Sequence, residues 1–263
     1  MSKALMTRKQ RRQALTMTGL AFVLVFVLWT NVLGLPEALV RMVTTPFNLF
    51  VTYVHEAGHA LAALLTGGRV IGFLVSADGS GLATTAGGSR AVILPAGYLG
   101  AAAFGSLLFF LANRTSRYAQ ALAFVLGAAM VIFTVMFARP DETGNPLALI
   151  LGVGFGVALM FIGAKAQAWV VLLCLNVLAV MTALNAVLDL YFLVQYADVG
   201  RRGAVVNDAA AFSRDVMPIL PSSFVAFIWA VIAVLMLGVS AYFAVWKPLK
   251  HEINATYEDV MQG

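Results

Sequence analysis

The 263-residue chain is 61% hydrophobic and only 11% charged, where an ordinary soluble domain carries roughly 25% charged residues. A soluble fold of this length has nowhere to hide so much apolar side chain, so lipid must be part of its solvent. The net charge of +5 is spread over both ends and the loops without an aromatic-interleaved basic stripe, which argues against a nucleic-acid partner. The single Cys174 rules out an internal disulfide and a cysteine-rich zinc site.

Residues 1–14 form a basic start, with Lys3, Arg8, Lys9, Arg11 and Arg12 ahead of an apolar run over 15–35. The run is longer than the apolar part of a signal peptide and no convincing small-residue cleavage site follows it, so a retained first span is expected. Further spans, each near the ~20 residues that cross ~30 Å of hydrocarbon, are expected over 47–66, 91–112, 118–137, 147–164, 168–197 and 224–246. The predicted fold is all-α and membrane-embedded: a polytopic bundle of about seven transmembrane helices, or six if one segment enters without crossing. It forms one domain over 15–246, with a cytoplasmic loop over 198–220 and a polar tail over 247–263 that holds His251 in water.

Local signals mark several span ends. Thr45-Pro46 and Asn145-Pro146 each place a capping side chain and an N1 proline before an apolar run. Small residues at Ala101 and Gly105, and at Gly152 and Gly156, are spaced to let helices approach closely. Gly152-Val153-Gly154-Phe155-Gly156 lacks the strand and full spacing of a nucleotide loop, so packing explains it better. With strict alternation of spans, an N-terminus in the cytoplasm puts the five basic residues of the start on one side with Arg69, Arg90, Arg139, Arg201, Arg202 and Arg214. The bias of basic residues favours that orientation, in a bacterial-type plasma membrane.

Between the second and third spans the pattern changes. Residues 68–90 hold β-prone stretches on either side of Asp78-Gly79, a strong hairpin signal. Such a hairpin would offer a free strand edge to an extended peptide.

The second span contains His55-Glu56-Ala57-Gly58-His59. Residues i and i+4 share a helix face about 6 Å apart along the axis, so the two imidazoles can close on one Zn2+ ion. Glu56, beside the first histidine, is placed to take a proton from a zinc-activated water and return it to a leaving amine. Ionisable groups at such depth are costly and usually functional.

These residues, with Ala60-Leu61, Thr66-Gly67-Gly68-Arg69-Val70 and Pro95-Ala96-Gly97-Tyr98-Leu99-Gly100, resemble the site-2 protease family of intramembrane zinc metallopeptidases, in the subgroup similar to its B type. The resemblance spans roughly 51–229. It implies His55 and His59 as zinc ligands, Glu56 as catalytic base, a membrane-associated hairpin and a third ligand from a distant aspartate. The family's Leu-Asp-Gly motif is reduced here to Leu188-Asp189-Leu190, without the glycine or the preceding prolines. Depth also favours Asp189: it lies about eight residues before the inner end of its span, and His59 about seven before its own, nearly level at ~1.5 Å per residue. Asp208 is the second candidate, read as a loop residue. Asn185, one turn from Asp189, could hydrogen-bond the scissile carbonyl or merely bridge helices, and Asn176 fits the bridging role.

The leading expectation is therefore an intramembrane zinc metallopeptidase that hydrolyses peptide bonds of membrane-protein substrates, engaged through the hairpin edge and admitted from the surrounding bilayer. A catalytically inactive scaffold or chaperone of the same fold is the alternative, against which the intact Glu56 speaks. A transporter ranks last, because its ionisable groups would be distributed over several spans.

Overall fold

The computed structural model describes residues 8–114, 118–140, 146–196 and 207–250. In chain order these form α1 (Arg8–Thr30), α2 (Glu37–Leu65), β1 (Arg69–Val75), β2 (Gly81–Ala86), α3 (Arg90–Arg114), α4 (Ala119–Phe137), α5 (Leu147–Lys165), α6 (Ala168–Tyr196), α7 (Asp208–Asp215) and α8 (Ser222–Ala241), which continues through a π-helical turn at Tyr242–Trp246. Six of these helices are long and apolar enough to cross a membrane: α1, α3, α4, α5, α6 and α8 with its continuation. The protein is thus an integral, multi-pass membrane protein. The remaining long helix, α2, is the one that carries Glu37, Arg41, His55, Glu56 and His59, and this polar load sets it apart.

Helix α6 is the centre of the bundle, with Val171, Leu175, Ala179, Met181 and Leu190 almost wholly buried. It packs antiparallel to α3, where the backbone of Gly105 meets Ala179 and Ala183. Gly127 and Gly156 face one another in the α4–α5 contact, and Gly152 sits against Thr134 and Tyr53. A Cβ at any of these positions would overlap a neighbour, so the small-residue spacing in the sequence is a packing device.

Two expectations about helix ends are corrected. Pro46 lies inside α2, which begins ten residues earlier than expected with Pro36 at its cap, so Thr45-Pro46 is not a helix start. The loop expected over 198–220 contains a helix, α7, because Asn207 caps it by accepting a hydrogen bond from the Ala210 amide at 2.9 Å. Pro146 does precede α5 as expected, whereas Asn145 and the tail with His251 lie outside the described residues.

Helix direction supplies a third correction. Thr18 donates to Asn113 at 2.6 Å, and Phe22 packs edge-on against Phe109, so α1 runs antiparallel to α3. It therefore begins at the end of the bundle where α3 finishes, away from the hairpin. Strict alternation had placed the basic start and Arg90 on one side, and they lie toward opposite ends. The reason is that α2, expected as the second span, is not among the six candidate spans, so α1 and α3 are consecutive and alternation makes them antiparallel. Thr18 sits in an apolar helix, and its partners, Asn113 and Asn176, are buried between α3 and α6. Asn176 is thus a helix-bridging residue.

The hairpin forms as its turn residues dictate. Asp78 accepts from the Ser80 amide at 2.9 Å and its hydroxyl at 2.7 Å, which holds its carboxyl below the usual carboxylate range, and Gly79 adopts φ +91°. Phe73 pairs with Ala83 in an antiparallel register with a bulge between Val70 and Gly72.

Replacing Gly127 with leucine should lower the unfolding midpoint in detergent by several degrees, since overpacking costs about 1–3 kcal/mol. Gly154→Leu is the control: a Cβ there meets open space, and its midpoint should stay at the wild-type value.

Candidate metal centre

Helix α2 places His55, Glu56 and His59 in the middle of the bundle, with Glu56 and His59 each 7% exposed. The Nε2 atoms of His55 and His59 are 3.1 Å apart. His59 Nδ1 lies 2.7 Å from the carbonyl oxygen of Ile93 on α3. If Nδ1 carries the proton it donates to that carbonyl and leaves Nε2 as a free lone pair, the usual way an outer partner orients a ligating imidazole. His55 is packed instead by Tyr98, edge-on at 4.5 Å between ring centres.

The carboxylate that reaches these rings is Asp208. Its Oδ2 lies 3.5 Å from His55 Nε2 and 3.3 Å from His59 Nε2, and these three side chains are the group, among the described residues, that could hold a metal ion. Burial opposes the charge on Asp208, yet hydrogen bonding to both imidazoles holds its carboxyl well below the usual carboxylate range. The Asp is the first residue of α7, and that helix is fixed at several points. Phe212 packs edge-on against Trp229 of α8 at 5.5 Å, Ser213 donates to the Leu220 carbonyl, and Asp215 pairs with Arg90 at the start of α3 at 2.6 Å.

The structure thus brings Asp208, and not Asp189, to the imidazoles. Asp189 lines the same cleft of about 410 Å³ as His55, Glu56 and Tyr98. It is exposed there, while α7, docked on α3 and α8, brings Asp208 to the two rings. Asn185 donates to its own helix at Met181 O, 2.8 Å away. The signal that could have pointed to Asp208 is Asn207-Asp208-Ala209-Ala210-Ala211, a capping side chain ahead of good helix formers in a stretch otherwise read as loop.

The donor set fits zinc. Tetrahedral ligands at about 2.0–2.1 Å from Zn2+ stand roughly 3.3 Å from one another, and the three separations observed are 3.1, 3.3 and 3.5 Å. Two neutral imidazoles and one carboxylate leave a fourth position open, as catalytic zinc sites do. Room for the rings comes from α3. A Cβ on Gly97 would overlap the Nε2 atoms of both histidines, and one on Gly58 would overlap the carbonyl of Ala96.

Glu56 is held from the other side by the hairpin. Its Oε2 accepts from the Ala83 amide of β2 at 2.7 Å, and Thr52, one turn earlier, donates to the Gly79 carbonyl at 2.8 Å. The opposite edge of the hairpin is taken up by Arg139, whose amide meets Phe73 O at 3.4 Å. Phe73 itself is buried between Tyr53 and Phe133. The edge of β2 therefore borders the cleft.

Substituting Gly97 with alanine should weaken zinc affinity on the order of 10–100-fold, the range seen when an outer partner of a metal site is disturbed. Metal analysis of the purified protein beside its helical circular dichroism checks this: the zinc is lost and the helix signal stays.

The family model described as Peptidase M50B-like matches residues 17–240, a stretch that takes in α2, the hairpin, α3 and α7 alike. No curated protein and no solved structure matches the chain. With most of its length matched, and a histidine pair on one helix facing an aspartate from another, the chain belongs to the Peptidase M50B-like family, within the site-2 proteases.

Proposed function

We propose that this protein is an intramembrane zinc metallopeptidase that hydrolyses peptide bonds of membrane-embedded protein substrates. The observation that carries the reading is the convergence of His55, His59 and Asp208 beside Glu56 in a cleft among apolar helices. His55, His59 and Asp208 would hold the zinc, which when bound supplies the Lewis acidity that makes water nucleophilic at neutral pH and polarises a carbonyl.

The chain's own residues supply the rest. Glu56 is adjacent to the ligands without being one of them, so its carboxylate is free to accept a proton from water and pass it to the leaving amine. Its hydrogen bond to the Ala83 amide fixes the orientation from which it does so. Apart from the Ala83 amide, which Glu56 holds, the edge of β2 receives the substrate as an added strand, which holds the scissile stretch extended, as a backbone must be for its carbonyl to be exposed. Asp189 and Asn207, on the cleft wall, keep the cavity wet enough for hydrolysis inside an otherwise apolar bundle. The bulk lipid supplies the substrate by lateral entry.

Glu56→Gln should reduce cleavage of a reconstituted membrane substrate by on the order of 10²–10⁴-fold, the usual contribution of a general base, with zinc content unchanged. A Gln variant that cleaves at the wild-type rate overturns the assigned mechanism, and a wild-type protein that purifies without zinc favours the inactive scaffold. Asp208→Ala should lose the metal and Asp189→Ala should keep it, measured as zinc per chain; the reverse pattern would return the third ligand to Asp189. Ala83→Pro removes an amide that points away from β1, so the ladder survives while cleavage falls and zinc stays bound.

A further inference from the structure

At the end of the bundle away from the hairpin, a second cavity of about 710 Å³ lies between α1 and α8, floored by α3 and α6. It is separate from the metal centre. It is lined by Gly19 of α1, Ser106 of α3 and Gly238 of α8, and its mouth by Tyr242 and Trp246, both exposed on the π-helical turn. Widened turns of this kind are frequent at functional sites. The hydroxyl of Ser106 is buried and has no hydrogen-bond partner among the described residues, while its carbonyl accepts from Ser240 at 2.6 Å.

Three observations say what fills this slot. An apolar cavity excludes water, and the medium around these helices is hydrocarbon. The exposed Tyr242 and Trp246 mark the level of the membrane interface. Immediately beyond them stand Lys247 and Lys250, and Arg12 lies one turn before Leu15 at the cavity wall, all exposed. Cations at the rim of an apolar slot complement an anionic headgroup. Ser240 lies about 10 Å below Lys247 along the helix, and the interfacial layer is about 5–8 Å thick on each side. Ser106 is therefore just inside the hydrocarbon boundary, so the slot runs from the interface into the hydrocarbon layer. We propose that the slot between α1 and α8 binds one anionic phospholipid, with an acyl chain in the cavity and the headgroup on Arg12, Lys247 and Lys250.

The test uses the full chain in phosphatidylcholine vesicles with a minor fraction of lipid carrying brominated acyl chains, either phosphatidylglycerol or phosphatidylcholine. Trp246 is read by difference against Trp246→Phe. Brominated phosphatidylglycerol should quench Trp246 several-fold more strongly than brominated phosphatidylcholine. Gly19→Leu and Gly238→Leu should abolish the excess, and a Cβ at either position meets open space, so these plugs leave the fold intact. Lys247→Gln with Lys250→Gln should abolish it as well. Equal quenching by the two lipids, an excess that survives both plugs, or one that survives loss of the lysines overturns the proposal.

Discussion

The architecture turns on a conflict between two requirements at one turn of α2. Two imidazoles must be buried, since lipid surrounds the bundle, yet their Nε2 atoms need open space between them and a third donor from elsewhere in the chain. Gly97 resolves the conflict, because α3 can pass directly over the rings only where it has no side chain. The same approach brings the Ile93 carbonyl to His59 and the ring of Tyr98 to His55, so one helix contact provides both the room and the orientation. Gly58 makes the contact mutual, its missing Cβ leaving space for the Ala96 carbonyl.

Much of this was legible in the sequence, and the reason differs by residue. The spacing of His55 and His59 is a local property of a helix, so their convergence follows from the period alone. The hairpin was legible because Asp78-Gly79 is turn chemistry with a mechanism, and the helix contacts were legible because Gly105, Gly152 and Gly156 have no other purpose in an apolar run. That Asp208 rather than Asp189 lies against the imidazoles was not legible, because its position is tertiary. Depth favoured Asp189, but depth does not say which face of a helix an acid occupies. The α7 helix that delivers Asp208 is eight residues long and polar, and its placement depends on Trp229, Leu220 and Arg90, which no local pattern links to it. The relation of α1 to α3 was missed because α2 was counted as a span: with α2 left out, α1 and α3 are consecutive and alternation itself makes them antiparallel.

The hairpin is tied directly to the candidate site. One edge is taken by the end of α4, and the other lies along the cleft with the Ala83 amide on Glu56. A backbone donor, unlike a side chain, is set by the strand itself, so the position of the carboxylate is tied to the register of the whole hairpin. Gly81 contributes by absence, since a Cβ there would press on Glu56 and Thr52.

The separation of Asp208 from the histidines along the chain has a consequence for biogenesis. The imidazoles emerge about 150 residues before the acid that faces them, a large loop to close. Helix α7 docks on α3 and α8, so the acid can reach the rings only after those helices have assembled in the bilayer. An ion held by all three side chains would act as a clasp across the finished bundle, and a nascent chain lacking α8 would lack the contacts that bring the acid to the rings. The candidate metal centre is thereby complete only once synthesis and insertion are complete.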